Sequence, residues 1–136
     1  MYLLDTNILS EMRRRSRMDP KVAAWAVSVR PGDLYLSVIT ILEIEIGAQR
    51  MARKDASQGA ILRTWIDHQV LPVFADRILS LDIAMAQRCA SLHVPNPCSE
   101  RDAMIAATAL CNGLRLVTRN IADFTATGVE LINPYD

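Results

Sequence analysis

Short apolar runs alternate with longer stretches of helical periodicity along the whole chain. Tyr2-Leu3-Leu4 ends in the polar cluster Asp5-Thr6-Asn7, the pattern of a buried strand that stops at a turn. Ile8 to Met12 begins a helix that halts in the basic run Arg13-Arg14-Arg15-Ser16-Arg17. Asp19-Pro20 supplies a cap and a first-turn proline, and Val22, Trp25, Ala26 and Val29 follow at helical spacing. After the turn Pro31-Gly32-Asp33, Leu34 to Val38 reads as a second strand. Thr40 opens a helix with Ile41, Leu42, Ile44 and Ala48 on its apolar positions, and Met51 to Ser57 is polar and reads as a bend. Ile61, Leu62, Trp65 and Ile66 form a further helix ending before Pro72, with both tryptophans expected in the core. Arg77 to Leu81 is a short strand, and Asp82 caps a helix through Ala86, Ala90 and Leu92. Pro95 to Ser99 is a loop. Arg101 to Cys111 is an alanine-rich helix closed by Asn112-Gly113. Leu114 to Thr118 and Val129 to Ile132 complete the strands.

This alternation predicts one α/β domain over residues 1–136. Its parallel sheet has four to five short strands, flanked by helices on both faces. The 136 residues suffice for one domain with its own core, and neither a repeat nor a linker interrupts them. A composition 51% hydrophobic and 22% charged excludes a disordered or low-complexity chain. Fifteen basic and fifteen acidic residues give zero net charge, so attraction to nucleic acid must come from a local patch. No apolar run is long enough to span a membrane and no secretory signal is read, so a cytoplasmic protein is expected. Cys89, Cys98 and Cys111 form no C-x-x-C pair and are expected to be buried free thiols of a reducing compartment.

The candidate chemistry lies in the acids. Ligands of open α/β sheets bind beyond the carboxyl ends of the strands. Asp5 ends the first strand, and Glu43 lies one turn into the helix after the second. Asp102 opens the helix leading into the Leu114–Thr118 strand, which Asn120 and Asp123 follow directly. Each also has a purely structural reading. Thr40-x-x-Glu43 and Ser99-x-x-Asp102 have the form of capping boxes. Asp102 suits the positive end of a helix, and Asp5, Asn120 or Asp123 can cap the turn beside it. Capping leaves the neighbours of Glu43 unexplained, because Ile39, Ile41, Leu42, Ile44 and Ile46 make that helix apolar nearly all round. A partly buried carboxylate is expected there, and burial without a partner is costly. A cation shared by Asp5, Glu43 and Asp102 would satisfy all three, and Gly47 and Ala106 are expected to leave room for it. Oxygen ligands without histidine or thiolate select Mg²⁺ or Mn²⁺ over zinc. Such ions commonly share their shell with substrate phosphate, which points to phosphodiester or phosphoryl chemistry. His68 and His93 are read as surface or satisfied residues.

Leu3–Glu11 (LLDTNILSE), Ser37–Arg50 (SVITILEIEIGAQR), Arg101–Leu110 (RDAMIAATAL) and Leu116–Phe124 (LVTRNIADF) resemble four motifs of the PIN-domain endoribonucleases. The likeness is specifically to the toxin halves of VapBC-type toxin–antitoxin pairs. The four stretches stand in the family's order, cover nearly the whole chain, and are followed by a similar ending, VELINPYD. The resemblance implies a single PIN domain in which Asp5, Glu43 and Asp102 are catalytic and bind Mg²⁺ or Mn²⁺. Some relatives carry aspartate where this chain has Asn120, so Asn120 and Asp123 both stand as further metal ligands. Of these two, Asp123 can supply the fourth charge and is counted with the catalytic acids. Thr6, Asn7, Thr118 and Arg119 are implied as supporting or substrate contacts, Arg119 through phosphate. The implied reaction is metal-assisted hydrolysis of an RNA phosphodiester. The implied partners are the RNA substrate, a second copy in a homodimer, and a VapB-type antitoxin that alone carries operator-DNA binding. No membrane is involved.

Three competing readings are weaker. A haloacid-dehalogenase-type phosphatase also ends its first strand in aspartate, but it places a second acid where this chain has Asn7. A non-catalytic PIN-like module for RNA or protein binding would be expected to lose one of the first three acids, and all are present; Asn120 is the position that favours it. Related DNA nucleases carry helical elements for which this chain is too short. The Arg13–Arg17 run reads either as a solvated helix end or as a phosphate-contacting rim beside the acids.

Overall fold

The computed structural model describes all 136 residues. Five short parallel strands form one sheet in the order β3-β2-β1-β4-β5. They are β1 (Tyr2–Leu4), β2 (Leu34–Ser37), β3 (Ile78–Leu79), β4 (Arg115–Val117) and β5 (Leu131–Ile132). Side chains alternate between the two faces. Leu4, Leu34, Leu36 and Val117 meet one apolar cluster with Ile8, Ile44, Trp65 and Phe74. Leu3 and Leu116 meet another with Ile39, Ile105, Ala109 and Phe124. The expected single α/β domain core, covered on both faces, is therefore present. No helix is long and apolar enough to cross a membrane.

Local chemistry sets most helix ends. The Asp5 carboxylate accepts from Thr6 N and starts α1 (Thr6–Met12), two residues earlier than the apolar pattern suggests. Asp19 accepts from Lys21 N and Val22 N at the head of α2 (Pro20–Ser28). Ser37 caps α3 (Val38–Lys54), so Thr40 lies inside that helix and the Thr40–Glu43 pair is not a capping box. Asp82 caps α6 (Ile83–Leu92), and Ser99 caps α7 (Glu100–Asn112) as the sequence suggests. Gly113 closes α7 at φ 64°, a conformation only glycine adopts without strain.

Several expectations are corrected. The supposed bend at Met51–Ser57 is a single residue: α3 runs to Lys54, and Asp55 caps α4 (Ala56–Trp65) by accepting from Ser57 N and Gln58 N. Helical structure then continues past Pro72. One π turn (Ile66–Val70) leads without a break into α5 (Leu71–Val73), and the widened turn accommodates Pro72, which lacks an N–H to donate. The expected 77–81 strand shrinks to Ile78–Leu79, which pair with Leu36 and Ser37 where β2 itself ends, while the Arg77 guanidinium donates to the carbonyls of Pro31, Leu34 and Val73. Of the cysteines only Cys89 is buried. Cys98 lies in the loop before α7 and Cys111 in its last turn, both exposed, and all three are free thiols. Trp65 is in the core, whereas Trp25 is half-buried and meets Tyr2 edge-on at 5.4 Å.

Candidate active site

The sheet topology carries the acids to one end. Strand β1 delivers Asp5, α3 departs from the end of β2 with Glu43 in its second turn, and α7 begins beside Asp102. Asp123 lies in α8 (Ile121–Phe124), just after β4.

Asp5 is buried, 6% exposed, and closely held. Its Oδ1 accepts from Thr6 N at 2.8 Å. Its Oδ2 accepts from the Thr118 hydroxyl at 2.7 Å and from Asn7 Nδ2 at 3.3 Å. Thr118 Oγ1 in turn accepts from Asn120 N at 3.0 Å, and Asn7 Oδ1 accepts from Arg119 N at 3.4 Å. These bonds join the ends of β1 and β4 through polar groups that would otherwise be buried without partners. The Thr6 hydroxyl donates to Glu43 Oε1 at 2.6 Å and lies 3.1 Å from the hydroxyl of Thr40. Glu43 Oε2 stands 3.8 Å from Arg101 Nη1. The Glu43 side chain is 26% exposed, so it is partly buried, as its apolar neighbours imply.

Burial pushes the Asp5 carboxyl above the usual aspartate range, and the nearby charges of Glu43 and Asp123 add to this. The hydrogen bonds from Thr118 and Thr6 oppose the rise without cancelling it. Asp102 is raised as well, first by burial and then by Asp5, Asp123 and Glu43. Asp5 and Asp102 thus lie within electrostatic range of Glu43 and Asp123, and Asp102 also of Asp5, with Arg101 as the guanidinium beside Glu43. No three His, Cys, Asp or Glu side chains converge closely enough to hold a metal ion as they stand. The donor set is nevertheless all oxygen and net negative, which suits a hard divalent cation better than zinc.

The remaining expected residues fall elsewhere. Asn120 stands at the head of α8, and its side chain makes no capping bond there. The Arg119 guanidinium stacks over the Tyr135 ring at 4.7 Å. Ala106 is fully buried in the core, whereas a Cβ on Gly47 would meet nothing within 4 Å. In the basic run Arg14 pairs with Glu11, and Arg13 lies over the Trp65 ring at 5.7 Å. Arg13 also lines a cavity with Thr6 and Glu43. His93 Nδ1 accepts from Cys98 N. Sequence reasoning missed Arg101 and Thr40. Arg101 adjoins Asp102 within a quoted motif, which was the available signal; the approach of Thr40 to Thr6 depends on how α1 packs on α3 and had none.

Comparison with known proteins agrees with this architecture. The PIN domain family matches residues 2–129. Over 141 aligned residues the chain is 33% identical to the VapC ribonuclease Y4jK of Sinorhizobium fredii, covering all of this chain and 99% of that one. The crystal structure of FitAcB from Neisseria gonorrhoeae superposes with a TM-score of 0.89 at 33% identity, 99% of each chain being covered. A toxin–antitoxin complex from Klebsiella pneumoniae superposes at 0.69 and 26% identity, over 100% of this chain and 99% of that one. Fold and family match agree: the chain belongs to the PIN domain family.

Proposed function

We propose that this chain is an Mg²⁺- or Mn²⁺-dependent endoribonuclease acting as the toxin of a type II toxin–antitoxin pair. The observation that carries this reading is the gathering of acids from separate elements around Asp5 and Asp102, whose carboxyls are both raised by burial and by the charges of Glu43 and Asp123. Family membership and the ribonuclease name of the Sinorhizobium relative support RNA as the substrate. The Klebsiella complex supports a small antitoxin partner of the VapB type. Operator DNA is then engaged only through that antitoxin, which fits a toxin with zero net charge. Homodimerisation in the cytoplasm belongs to the same proposal.

Asp5, Glu43, Asp102 and Asp123 would hold the cation, with Asn120 at the rim. The chemistry such an ion supplies when bound is neutralisation of phosphate charge and a more acidic water. Asp5 is the fixed point, since three donors restrict both of its oxygens. Thr6 holds Glu43 Oε1 and leaves Oε2 facing Arg101. Asp102 is raised by burial and by the acids around it, the repulsion that a shared cation would relieve. Arg101 can pair with a phosphate oxygen once Glu43 is otherwise engaged.

The test is cleavage of labelled RNA by the purified chain with Mn²⁺ or Mg²⁺, with EDTA, and in Asp5→Asn and Asp102→Asn. Metal-dependent cuts that fall at least about 100-fold in both variants are expected, a loss of the size seen when a charge-stabilising group is removed. The second reading is a binding module that keeps the fold, and the observation favouring it is that no three acids stand at ligating distance. Metal-independent RNA binding without cleavage would establish that reading instead.

A further inference from the structure

Two glycines sit inside helices, where glycine is unfavourable, and only one has a packing reason. A Cβ on Gly59 would collide with the Ala52 backbone and come within 2.6 Å of Ala52 Cβ, so α3 and α4 can pack there only against hydrogen. A Cβ on Gly47 would meet nothing within 4 Å. Gly47 lies one turn beyond Glu43 on α3, at the wall of a cavity of about 290 Å³ between α1, α3 and α4. Of the acids Glu43 lines that cavity, together with Thr6. Its lining also includes the apolar side chains of Met51 and Trp65, and Arg13, which lies over the Trp65 ring.

We infer that this cavity is the subsite for one nucleobase of the RNA next to the scissile phosphate, kept open by the missing side chain at Gly47. The proposal rests on the nuclease reading above. Its volume lies at the bottom of the range for small-molecule sites, about 300–1,000 Å³, and so suits one flat group. The apolar part of the lining suits a base, as stacking and sulfur contacts do in single-strand sites. Arg13, the cation that lines it, suits the adjoining phosphate. A base held here would have its own phosphate near Glu43, because the cavity and the acid cluster share that residue. Gly47 is thereby a specificity-determining position, since a bulky side chain there would project into the space a base needs, whereas a methyl meets nothing within 4 Å.

Trp65 makes the cavity observable. In a Trp25→Phe background, Trp65 is the sole tryptophan. Its fluorescence is titrated with each of the four ribonucleoside monophosphates and with a short single-stranded RNA. The expected result is saturable quenching with a preference among the four bases. Arg13→Ala weakens it about 10-fold, Gly47→Ala retains it and Gly47→Phe abolishes it. Both Gly47 substitutions raise helix propensity, so loss of folding does not explain a lost signal. Cleavage-site mapping accompanies the titration. Quenching that survives Gly47→Phe unchanged, or no response to any nucleotide or RNA, overturns the subsite and assigns the cavity to a protein partner or to no ligand. Metal-dependent cleavage without quenching overturns the subsite alone. Quenching lost in Gly47→Phe in a chain that never cleaves RNA supports nucleotide binding and overturns the nuclease reading.

Discussion

Thr118 illustrates how much of the site depends on single hydroxyls. It is fully buried, donates to Asp5 Oδ2 at 2.7 Å and accepts from Asn120 N at 3.0 Å. Thr118→Val keeps the shape and removes both bonds. A hydrogen bond to a charged group is worth about 1.5–3 kcal/mol, so the variant should lose about 2 kcal/mol of stability in urea denaturation. Partners that orient metal ligands typically carry about 10–100-fold in metal affinity, and Mn²⁺ calorimetry should register a loss of that size. Thr118→Ser, which restores the hydroxyl, should recover most of both. This bond was not legible in the chain, because its partners lie 113 residues apart and meet only when β1 and β4 pair. Asp5 itself was legible, because a carboxylate that ends a short apolar run at the head of a helix is a local pattern.

At the scale of elements, one buried carboxylate links three segments. Glu11 on α1 accepts from Asp19 N at 2.8 Å, Arg14 Nη1 at 3.1 Å and the Tyr135 hydroxyl at 3.2 Å. Its carboxyl is held below the usual range, first by the Asp19 amide and then by Arg14 and Tyr135. A folded value below the unfolded one means that the stabilisation is complete above the ordinary value of about 4.5 and is lost as pH falls through the folded value. Glu11→Gln should therefore differ from the parent chain in melting temperature at pH 7 and converge with it in acid; a gap independent of pH would contradict this. The α3–α4 hairpin gives a second test at this scale. Gly59→Ala gains helix propensity but forces a methyl onto Ala52, and overpacking costs about 1–3 kcal/mol. Denaturation should show a net loss. Many element boundaries were readable from caps, as at Asp19-Pro20, Asp82, Ser99 and Gly113. The α3–α4 junction and the passage through Pro72 were not. A one-residue break at Asp55 resembles a polar loop, and a π turn that accommodates proline has no marker in hydrophobic periodicity.

For the whole molecule, zero net charge conceals one acidic cluster. Four acids lie at the carboxyl end of the sheet, while others pair with arginines elsewhere, as Glu45 and Asp67 do with Arg63. Parallel strands and returning helices make this possible, because they bring Asp5, Glu43, Asp102 and Asp123 to the same end from distant parts of the sequence. The alternation of elements made the sheet legible, and with it the placement of these acids at one end of the strands. The position of each carboxylate depends on side-chain packing and was not. If the four acids work as one cation site, Mn²⁺ binding followed by electron paramagnetic resonance should report it in the parent chain, Asp5→Asn, Asp102→Asn and the exposed control Asp76→Asn. Saturable binding is expected in the parent and the control, weakened at least about 10-fold in the two site variants. Equal Mn²⁺ affinity in all four chains would contradict a shared site.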